Sequence, residues 1–412
     1  MTGRPQQRLR KSWHAIRRQF GVGVEAPRRL VIEKAEWLND AQSPVMFMVD
    51  DLANAWHNRE GGGSWEAGGD WGGGFRKPGS AISFLGEGFL RDFPDVKITF
   101  FTVAGTLSAT TKHRPFSHAA PLDDQSESRE FFRSLAADPR FELAYHGLNH
   151  GTAGARTEDF VQEWRGFPSL EAAVEQTKRG LEIFYRATGT VPQGGKYCGW
   201  DHNDFADDAV DDCGFIWWCR DWTPRDVSGR VPDAYYEPQL FGQNLVVAFP
   251  STLHGHFWDR RQIKLLLKRR QIVSVTEHIA PVRPDGLVQT PNIVDDLKEL
   301  RSLFRYLRGK SVWYATGSEI ASYVIARDRS LVYDVTREGF SLLYEGRIQR
   351  PLLTLRIDCS AVCTRAKPLV EIVLPDGSVV DPVACEFDRR RFRHKVTLPV
   401  TEGNYSVRPC GE

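Results

Sequence analysis

The sequence predicts an α/β protein in which a distorted (β/α)7–8 barrel is followed by a small C-terminal antiparallel β-sandwich. Apolar strand candidates alternate with helical patterns up to about residue 325, and short alternating strands take over from about residue 330. Strands separated by helices form parallel sheets, whereas closely spaced strands with turn signals form antiparallel ones. We therefore expect a basic arm at residues 1–40, a barrel at 41–328 and an accessory β-sandwich at 329–412.

The predicted barrel strands are apolar runs with little polar alternation, which is typical of strands buried on both faces. In chain order they are VMFMV (45–49), KITFFTV (97–103), FELAYHG (141–147), TVPQGGKY (190–197), GFIWWC (214–219), NLVVAF (244–249), QIVSVTE (271–277) and SVWYAT (311–316).

Helical patterns separate most of these strands. The clearest one begins at a capping serine, Ser169, and ends at Gly189, so both of its boundaries are readable. The predicted helices are AISFLGEGFLRDF (81–93), SLEAAVEQTKRGLEIFYRATG (169–189), NDFADDAVDDCG (203–214), DRRQIKLLLKRR (259–270) and NIVDDLKELRSLFRYLRG (292–309).

The C-terminal region consists of short strands joined by turns such as PDGS at 375–378. Its predicted role is carbohydrate binding or dimer formation, and a packing appendage with no further role is equally compatible with the pattern. The predicted strands are LVYDVT (331–336), FSLLYEG (340–346), LLTLRIDC (352–359), LVEIVLP (369–375), HKVTLPV (394–400) and NYSVRP (404–409).

Asp50 and Asp51 follow the apolar run VMFMV directly, at the carboxyl end of the first predicted barrel strand. Barrels and open α/β sheets place their chemistry at this end of the strands. Neighbouring strand residues point to opposite faces, so both carboxylates reach one site only if the chain bends locally. An Asp-Asp pair after a strand also occurs as a helix cap or turn.

His146 and His150 lie four residues apart in the segment AYHGLNH. One helical turn would put both imidazoles on the same face, and Gly147 and Gly151 would permit a tight path. One carboxylate and two imidazoles form a divalent-metal site with free coordination positions. A second carboxylate is then available as a base that deprotonates water. The combination indicates a metal-dependent hydrolase.

The net charge of +1 excludes a global electrostatic attraction to nucleic acid. The basic stretches at 8–18 and 388–395 are either solvated or contact an anionic membrane or glycan phosphate. The first thirty residues lack the apolar core of a secretory signal, and no apolar run approaches the roughly 20 residues of a membrane span. We expect a cytoplasmic protein without a transmembrane segment and leave peripheral membrane contact open; the patterns do not indicate an oligomeric state.

The cysteines form an odd set without zinc-finger spacing, so we expect small, buried, reduced side chains. They are Cys198, Cys213, Cys219, Cys359, Cys363, Cys385 and Cys410.

The order of these motifs resembles the polysaccharide deacetylases, carbohydrate esterase family four, which share a distorted (β/α)7–8 barrel. The family's Thr-Phe-Asp-Asp-Gly motif corresponds to residues 48–52, and its His-(Ser/Thr)-x-x-His motif to residues 146–150. The resemblance implies that Asp50 is the catalytic base and that Asp51, with the two histidines, binds the metal. It covers about residues 40–325.

Two later motifs extend the resemblance. GFIWWCRDW supplies Asp221 and Trp222, and IVSVTEHIA supplies His278. By resemblance His278 is the general acid, and Asp221 would keep it cationic through a nearby negative charge. Trp222 is assigned to substrate binding.

This sequence departs from the family in three places. Leu52 replaces a glycine, and Gly147 replaces the hydroxyl residue between the histidines. The family's third motif, an Arg followed by prolines and Gly, corresponds only to PQGGKYCG, in which Lys196 is the nearest cation. A lysine lacks the planar guanidinium that pairs with a carboxylate through two hydrogen bonds, so the resemblance leaves the tuning of the base Asp50 open at this position. Lys196 is assigned to substrate binding.

Further candidates for substrate contact lie in two loops. The glycine-rich segment 59–80 follows the Asp pair and carries Trp65 and Trp71, whose faces suit stacking on sugar rings. His254 and His256 follow a strand end and would contact the substrate, provide an alternative acid, bind a second metal or have no role.

The leading functional prediction is a hydrolase that removes an N-acetyl group from a carbohydrate, using a divalent metal ion to activate the attacking water. Zn²⁺ is the expected metal, and Co²⁺, Mn²⁺ or Ni²⁺ would also suit the site. One alternative is hydrolysis of a small non-sugar amide on the same barrel. Another is a catalytically silent protein that binds glycans.

Overall fold

The computed structural model describes residues 29–57, 65–67, 81–106, 108–110, 115–117, 119–220, 236–254, 259–278, 289–293, 295–362, 370–380, 385–388 and 393–409. Contacts divide the chain into two compact units. The larger unit is Glu36–Asp328, and the smaller one joins the described residues up to Ala35 to those from Arg329 onward.

The strands are numbered along the chain over the described residues. They are β1 Val31–Lys34, β2 Ser43–Leu52, β3 Ala55–His57, β4 Trp65–Ala67, β5 Ile98–Val103, β6 Ser108–Thr110, β7 Pro115–Ser117, β8 Phe141–Gly147, β9 Gly151–Thr152, β10 Val161–Gln162, β11 Gly194–Lys196, β12 Trp217–Arg220, β13 Gln239–Phe241, β14 Val246–Pro250, β15 Leu253–His254, β16 Val273–His278, β17 Val312–Tyr314, β18 Ser330–Tyr333, β19 Gly339–Tyr344, β20 Leu352–Asp358, β21 Val370–Val373, β22 Cys385–Asp388, β23 Arg393–Pro399 and β24 Gly403–Pro409.

The helices are numbered in the same way. They are α1 Ala81–Leu85, which continues into a π-helical turn at Gly86–Leu90, α2 Ser126–Ala136, α3 Leu170–Thr188, α4 Ala206–Asp212, α5 Arg260–Arg269, α6 Leu297–Arg308 and α7 Gly317–Asp328. Among the described helices, none combines the length and apolar character that crossing a bilayer requires.

A ten-stranded sheet forms the centre of the larger unit. Its strand order is β13-β14-β12-β11-β8-β5-β2-β16-β15, and β17 also pairs with β2. The β13–β14 pair is antiparallel, and the other pairs are parallel. The predicted mixed α/β class and the large parallel sheet are therefore confirmed, whereas closure of the sheet into a barrel stays a prediction.

Strand β2 runs through the middle of this sheet, and all ten of its residues are buried. Because strands pair with it on both edges and helices cover the sheet, apolar residues are favoured on both faces. Phe47 illustrates the packing, since its ring lies 5.3 Å from that of Phe89 and 5.4 Å from that of Phe304 on α6. The apolar run at 45–49 thus becomes the rigid strand that carries Asp50 and Asp51.

The capping signals around α3 are present as expected. Ser169 accepts a hydrogen bond from the backbone nitrogen of Ala172, and Gly189 ends the helix with φ +78°. A side-chain acceptor at the start and a left-handed glycine at the end satisfy backbone groups that the helix leaves unpaired.

Helix α2 is an element that the sequence analysis missed, although Phe131, Phe132 and Leu135 form its buried face.

The smaller unit contains two four-stranded antiparallel sheets, ordered β1-β20-β23-β22 and β18-β19-β24-β21. Strand β1 lies within the segment expected to be an arm and pairs with β20, with Val31 opposite Asp358. In β24 Tyr405 stacks on Phe340 at 4.9 Å and donates a hydrogen bond to the carbonyl of Thr401. Packing of the two sheets as a sandwich stays a prediction.

Candidate metal centre

The chain bends at the two adjacent aspartates. Strand β2 loses register with β5 between Val49 and Leu52, and Asp51 has φ +63°. A residue other than glycine rarely adopts this left-handed backbone conformation. The irregularity is the local bend that the sequence analysis required, and it lets neighbouring carboxylates serve one site while contacting different partners.

Asp51 faces the two predicted histidines. Its Oδ1 lies 3.1 Å from His150 Nε2 and 3.5 Å from His146 Nε2. The two imidazole rings are 5.1 Å apart and nearly perpendicular, and all three side chains are buried. Three groups from distant parts of the chain therefore converge on one point with their electron-pair donors turned inward.

The route by which His150 reaches this point differs from the expectation. We expected a helical turn from His146 to His150; instead His146 lies in β8 and a bend follows at residues 148–150. Gly147 has φ +130° and His150 has φ +64°. The helical-turn prediction is wrong because two left-handed residues reverse the chain more tightly than a helix would.

A hydrogen bond to the neighbouring strand fixes the orientation of the His146 ring. Its Nδ1 lies 2.9 Å from the carbonyl oxygen of Lys196 on the neighbouring strand β11. A carbonyl can only accept, so Nδ1 carries a hydrogen and Nε2 is the nitrogen that faces Asp51. This is the orientation that a metal-binding imidazole needs.

The donor set suits a divalent cation. Asp51 Oδ1 is buried and has no hydrogen-bond partner within the described ranges. Burial alone would raise the pKa of Asp51, but the facing imidazoles of His150 and His146 outweigh it and hold this pKa well below its usual range. A buried carboxylate oxygen beside two imidazole nitrogens is a ligand set that Zn²⁺ and related ions prefer.

Cys198 is a further potential ligand that the sequence analysis did not single out. Its Sγ and one ring nitrogen each of His146 and His150 lie within 4.8 Å of one another. The thiol donates to the carbonyl of His146, and burial, followed by the charge of Glu163, raises the pKa of this thiol well above its usual range. His146 and His150 thus belong to two candidate sets of metal ligands, one completed by Asp51 and the other by Cys198.

Asp50 forms a buried ion pair with Lys196. The Lys196 ammonium contacts both carboxylate oxygens of Asp50, and the lysine is only 1% exposed. The same ammonium lies 4.6 Å from the ring centroid of Phe101 and 4.4 Å from that of Trp200. The sequence analysis assigns Lys196 to substrate binding, whereas the structure directs its charge to Asp50.

His278 adjoins the same carboxylate. It pairs in register with Asp50 across β16 and β2, and its Nε2 lies 3.4 Å from Asp50 Oδ2. The opposite nitrogen, Nδ1, lies 3.0 Å from the carbonyl oxygen of Pro291, which orients Nε2 toward Asp50. Burial lowers the pKa of His278, although Asp50 opposes the shift.

The remaining candidates cannot be assigned to the site. Trp71, Asp221, Trp222 and His256 lie outside the described residues. For Trp65 in β4 and His254 in β15 only the backbone is described, so their assignment to substrate contact stays a prediction, as do the roles of the other four.

Strand β16 also carries Glu277 next to His278, and this carboxyl group is fully buried. Neither of its oxygens has a hydrogen-bond partner among the described residues. Burial, reinforced by the charges of Asp296 and Asp50, raises the pKa of Glu277 from its ordinary value of 4.5 to about 10. The folded protein therefore holds a proton here at neutral pH.

We expect Glu277→Gln to stabilise the protein increasingly as the pH rises. The unfolded chain releases the Glu277 proton above about pH 4.5, so the stability linked to the neutral carboxyl is fully present below that pH and declines toward pH 10. The decline is up to about 1.4 kcal/mol per pH unit. Urea unfolding of both proteins from pH 5 to pH 9 checks this, and a constant difference between them would contradict it.

No protein-family profile matches the chain, and no curated protein is significantly similar to it in sequence. Among solved structures, a candidate polysaccharide deacetylase from Mycobacterium smegmatis is 15% identical, with 70% of this chain and 92% of that chain covered and a TM-score of 0.41. A second one, from Pseudomonas aeruginosa PAO1, is 15% identical, covers 70% and 93%, and has a TM-score of 0.42.

The fold resembles polysaccharide deacetylases. The allantoinase PuuE is equally similar, at 15% identity with 70% and 92% coverage and a TM-score of 0.42. Similarity at this level concerns the fold and carries no argument about the reaction, which depends on the site residues described above.

Proposed function

We propose that this protein is a metal-dependent amide hydrolase that removes the N-acetyl group from a carbohydrate. One observation carries the proposal: Asp51 faces two imidazoles, while its neighbour Asp50 contacts Lys196 and His278. A cation site and a separate carboxylate are two components with which metal-assisted hydrolysis of an amide proceeds.

In this proposal Asp51, His146 and His150 hold the cation. When bound, a divalent cation supplies Lewis acidity that polarises a substrate carbonyl and lowers the pKa of water to about 7. Asp50 then accepts the proton of the attacking water. Lys196 keeps the Asp50 carboxylate oriented and compensates its buried charge.

His278 provides the second proton transfer. Burial lowers the pKa of His278 and so favours the neutral imidazole, in which Nδ1 donates its hydrogen to the Pro291 carbonyl. Its free Nε2, adjacent to Asp50, can receive the proton and deliver it to the departing nitrogen. Water and amide thus become acetic acid and a free amine, and Asp50 and His278 return to their starting state.

The substrate class is supported by the motif resemblance in the sequence. Both aspartates, both histidines and His278 match that pattern in order. Short contacts connect Asp51 to the two histidines and Asp50 to His278. A small or cyclic amide is the alternative substrate on the same residues, so the test has to include both classes.

We expect the purified protein to bind one divalent ion and to release acetate from N-acetylated sugars, with activity lost on chelation and restored by Zn²⁺ or Co²⁺. Acetate release is measured across acetylated oligosaccharides, simple amides and a cyclic amide. Turnover of the amides alone would replace the sugar assignment, and glycan binding without metal would indicate a catalytically silent protein.

Two variants separate the candidate ligand sets. Asp51→Asn is expected to weaken Zn²⁺ binding by at least about 100-fold, since even indirect disturbance of a metal ligand costs 10–100-fold. Cys198→Ser is the matched control and is expected to retain the metal. The opposite pattern would assign the site to His146, His150 and Cys198.

A further inference from the structure

Glu163 lies beside the bend that carries His150. Its Oε1 accepts a hydrogen bond from the backbone nitrogen of Leu148 at 2.8 Å, and its Oε2 accepts one from Asn149 at 2.7 Å. The backbone nitrogen of Glu163 donates to the carbonyl of His150 at 3.1 Å. One buried residue therefore binds backbone groups of three consecutive residues, Leu148, Asn149 and His150.

These contacts hold a conformation that the segment would not otherwise favour. Gly147 and His150 both have positive φ, and a side chain such as that of His150 rarely adopts it without support. The amide groups of Leu148 and Asn149 would also lose their acceptors if the carboxylate were removed. Strand β9 pairs with β10, with Gly151 opposite Gln162, and this pairing fixes the chain directly after His150.

The position of the carboxylate also accounts for the glycine between the histidines. A Cβ atom added at Gly147 would lie 2.6 Å from Glu163 Oε2 and 3.1 Å from Cys198 Sγ. The space that a side chain at position 147 would need is thus already occupied. The sequence departure at Gly147 and the presence of Glu163 are two parts of one arrangement.

We propose that Glu163 is a positioning residue that keeps the 147–150 bend in the shape that directs the His150 imidazole toward Asp51. The part of this inference that concerns the metal rests on the proposed function. Glu163 contacts the backbone and not the donor atoms, so it acts through the geometry of the bend.

The chain contains a matched control for this residue. Asp211 is a buried carboxylate that accepts hydrogen bonds from the successive backbone nitrogens of Gln243 and Asn244, at 2.8 and 3.0 Å. Its loop also contains a positive-φ glycine, Gly242, whose added Cβ would lie 2.4 Å from the carboxylate. This loop precedes β14 and so lies at the opposite end of the parallel strands from the metal centre.

The test compares Glu163→Gln with Asp211→Asn in the full chain. We expect Glu163→Gln to weaken Zn²⁺ binding by about 10–100-fold in a chelator-competition titration, whereas Asp211→Asn leaves it within twofold of the wild type. Hydrogen exchange of the metal-free proteins should accelerate at Leu148 and Asn149 only in Glu163→Gln. If Glu163→Gln does not fold, Glu163→Asp, which retains the charge but shortens the reach, replaces it with the same expectations.

Three results would overturn the inference: wild-type Zn²⁺ affinity in the Glu163 variant, equal weakening in both variants, or unchanged exchange at residues 148–149. If the wild type binds no metal, the proposed function fails, while the exchange measurement still decides whether Glu163 holds the bend.

Discussion

Asp50→Asn is expected to lower kcat/KM for acetate release by about 10²–10⁴-fold, the range that a positioned general base contributes. Asparagine matches aspartate in size but cannot accept the proton of the attacking water. The ion pair with Lys196 and the contact with His278 are lost at the same time. Kinetics with saturating Zn²⁺ measure the effect.

The same preparation provides the control for this prediction. Asp50 is not among the proposed metal ligands, so Asp50→Asn should retain a stoichiometric ion while losing turnover. Full activity would exclude Asp50 as the base, and loss of the metal together with activity would assign Asp50 to metal binding instead.

Lys196→Met is expected to reduce the free energy of unfolding by about 3–5 kcal/mol, because it leaves the buried Asp50 carboxylate without its partner. Urea denaturation followed by far-UV circular dichroism measures the change. The methionine keeps the apolar stem that packs near Phe101 and Trp200, so the loss reports mainly on the charge.

Adding Asp50→Asn to Lys196→Met should recover much of the lost stability, because neither partner then carries an uncompensated charge. Arg156→Met breaks an exposed ion pair with Asp159 and is expected to leave stability essentially unchanged. A Lys196→Met protein as stable as the wild type would show that Asp50 is neutral or solvated in the folded state.

The sequence predicted most of the central sheet because its strands are uninterrupted apolar runs. It also predicted that Asp50, Asp51 and the two histidines would meet, since carboxyl ends of parallel strands lie along one edge. The bend at Asp51 followed from strand alternation alone. These features depend on local pattern and on the general geometry of parallel sheets.

Other contacts between distant residues could not be predicted from the sequence. The spacing of His146 and His150 fits a helical turn, and the tighter bend depends on the Glu163 carboxylate, which residue patterns do not connect to it. Lys196 was recognised as the nearest cation in the third motif, but the sequence did not show that its ammonium contacts both oxygens of Asp50. Cys198 approaches the histidines because it directly follows the end of strand β11, which pairs with β8. This pairing is not readable from the residues around Cys198.

The position of β2 in the sheet affects how the chain can fold during its synthesis. Its partners β16 and β17 come from the last part of the larger unit, so one edge of this buried strand has nothing to pair with until almost the entire unit has left the ribosome. Pairings so distant in sequence form slowly, and unpaired apolar edges promote aggregation. Strand order thus makes this edge of β2 one of the last parts of the larger unit that can be completed during synthesis.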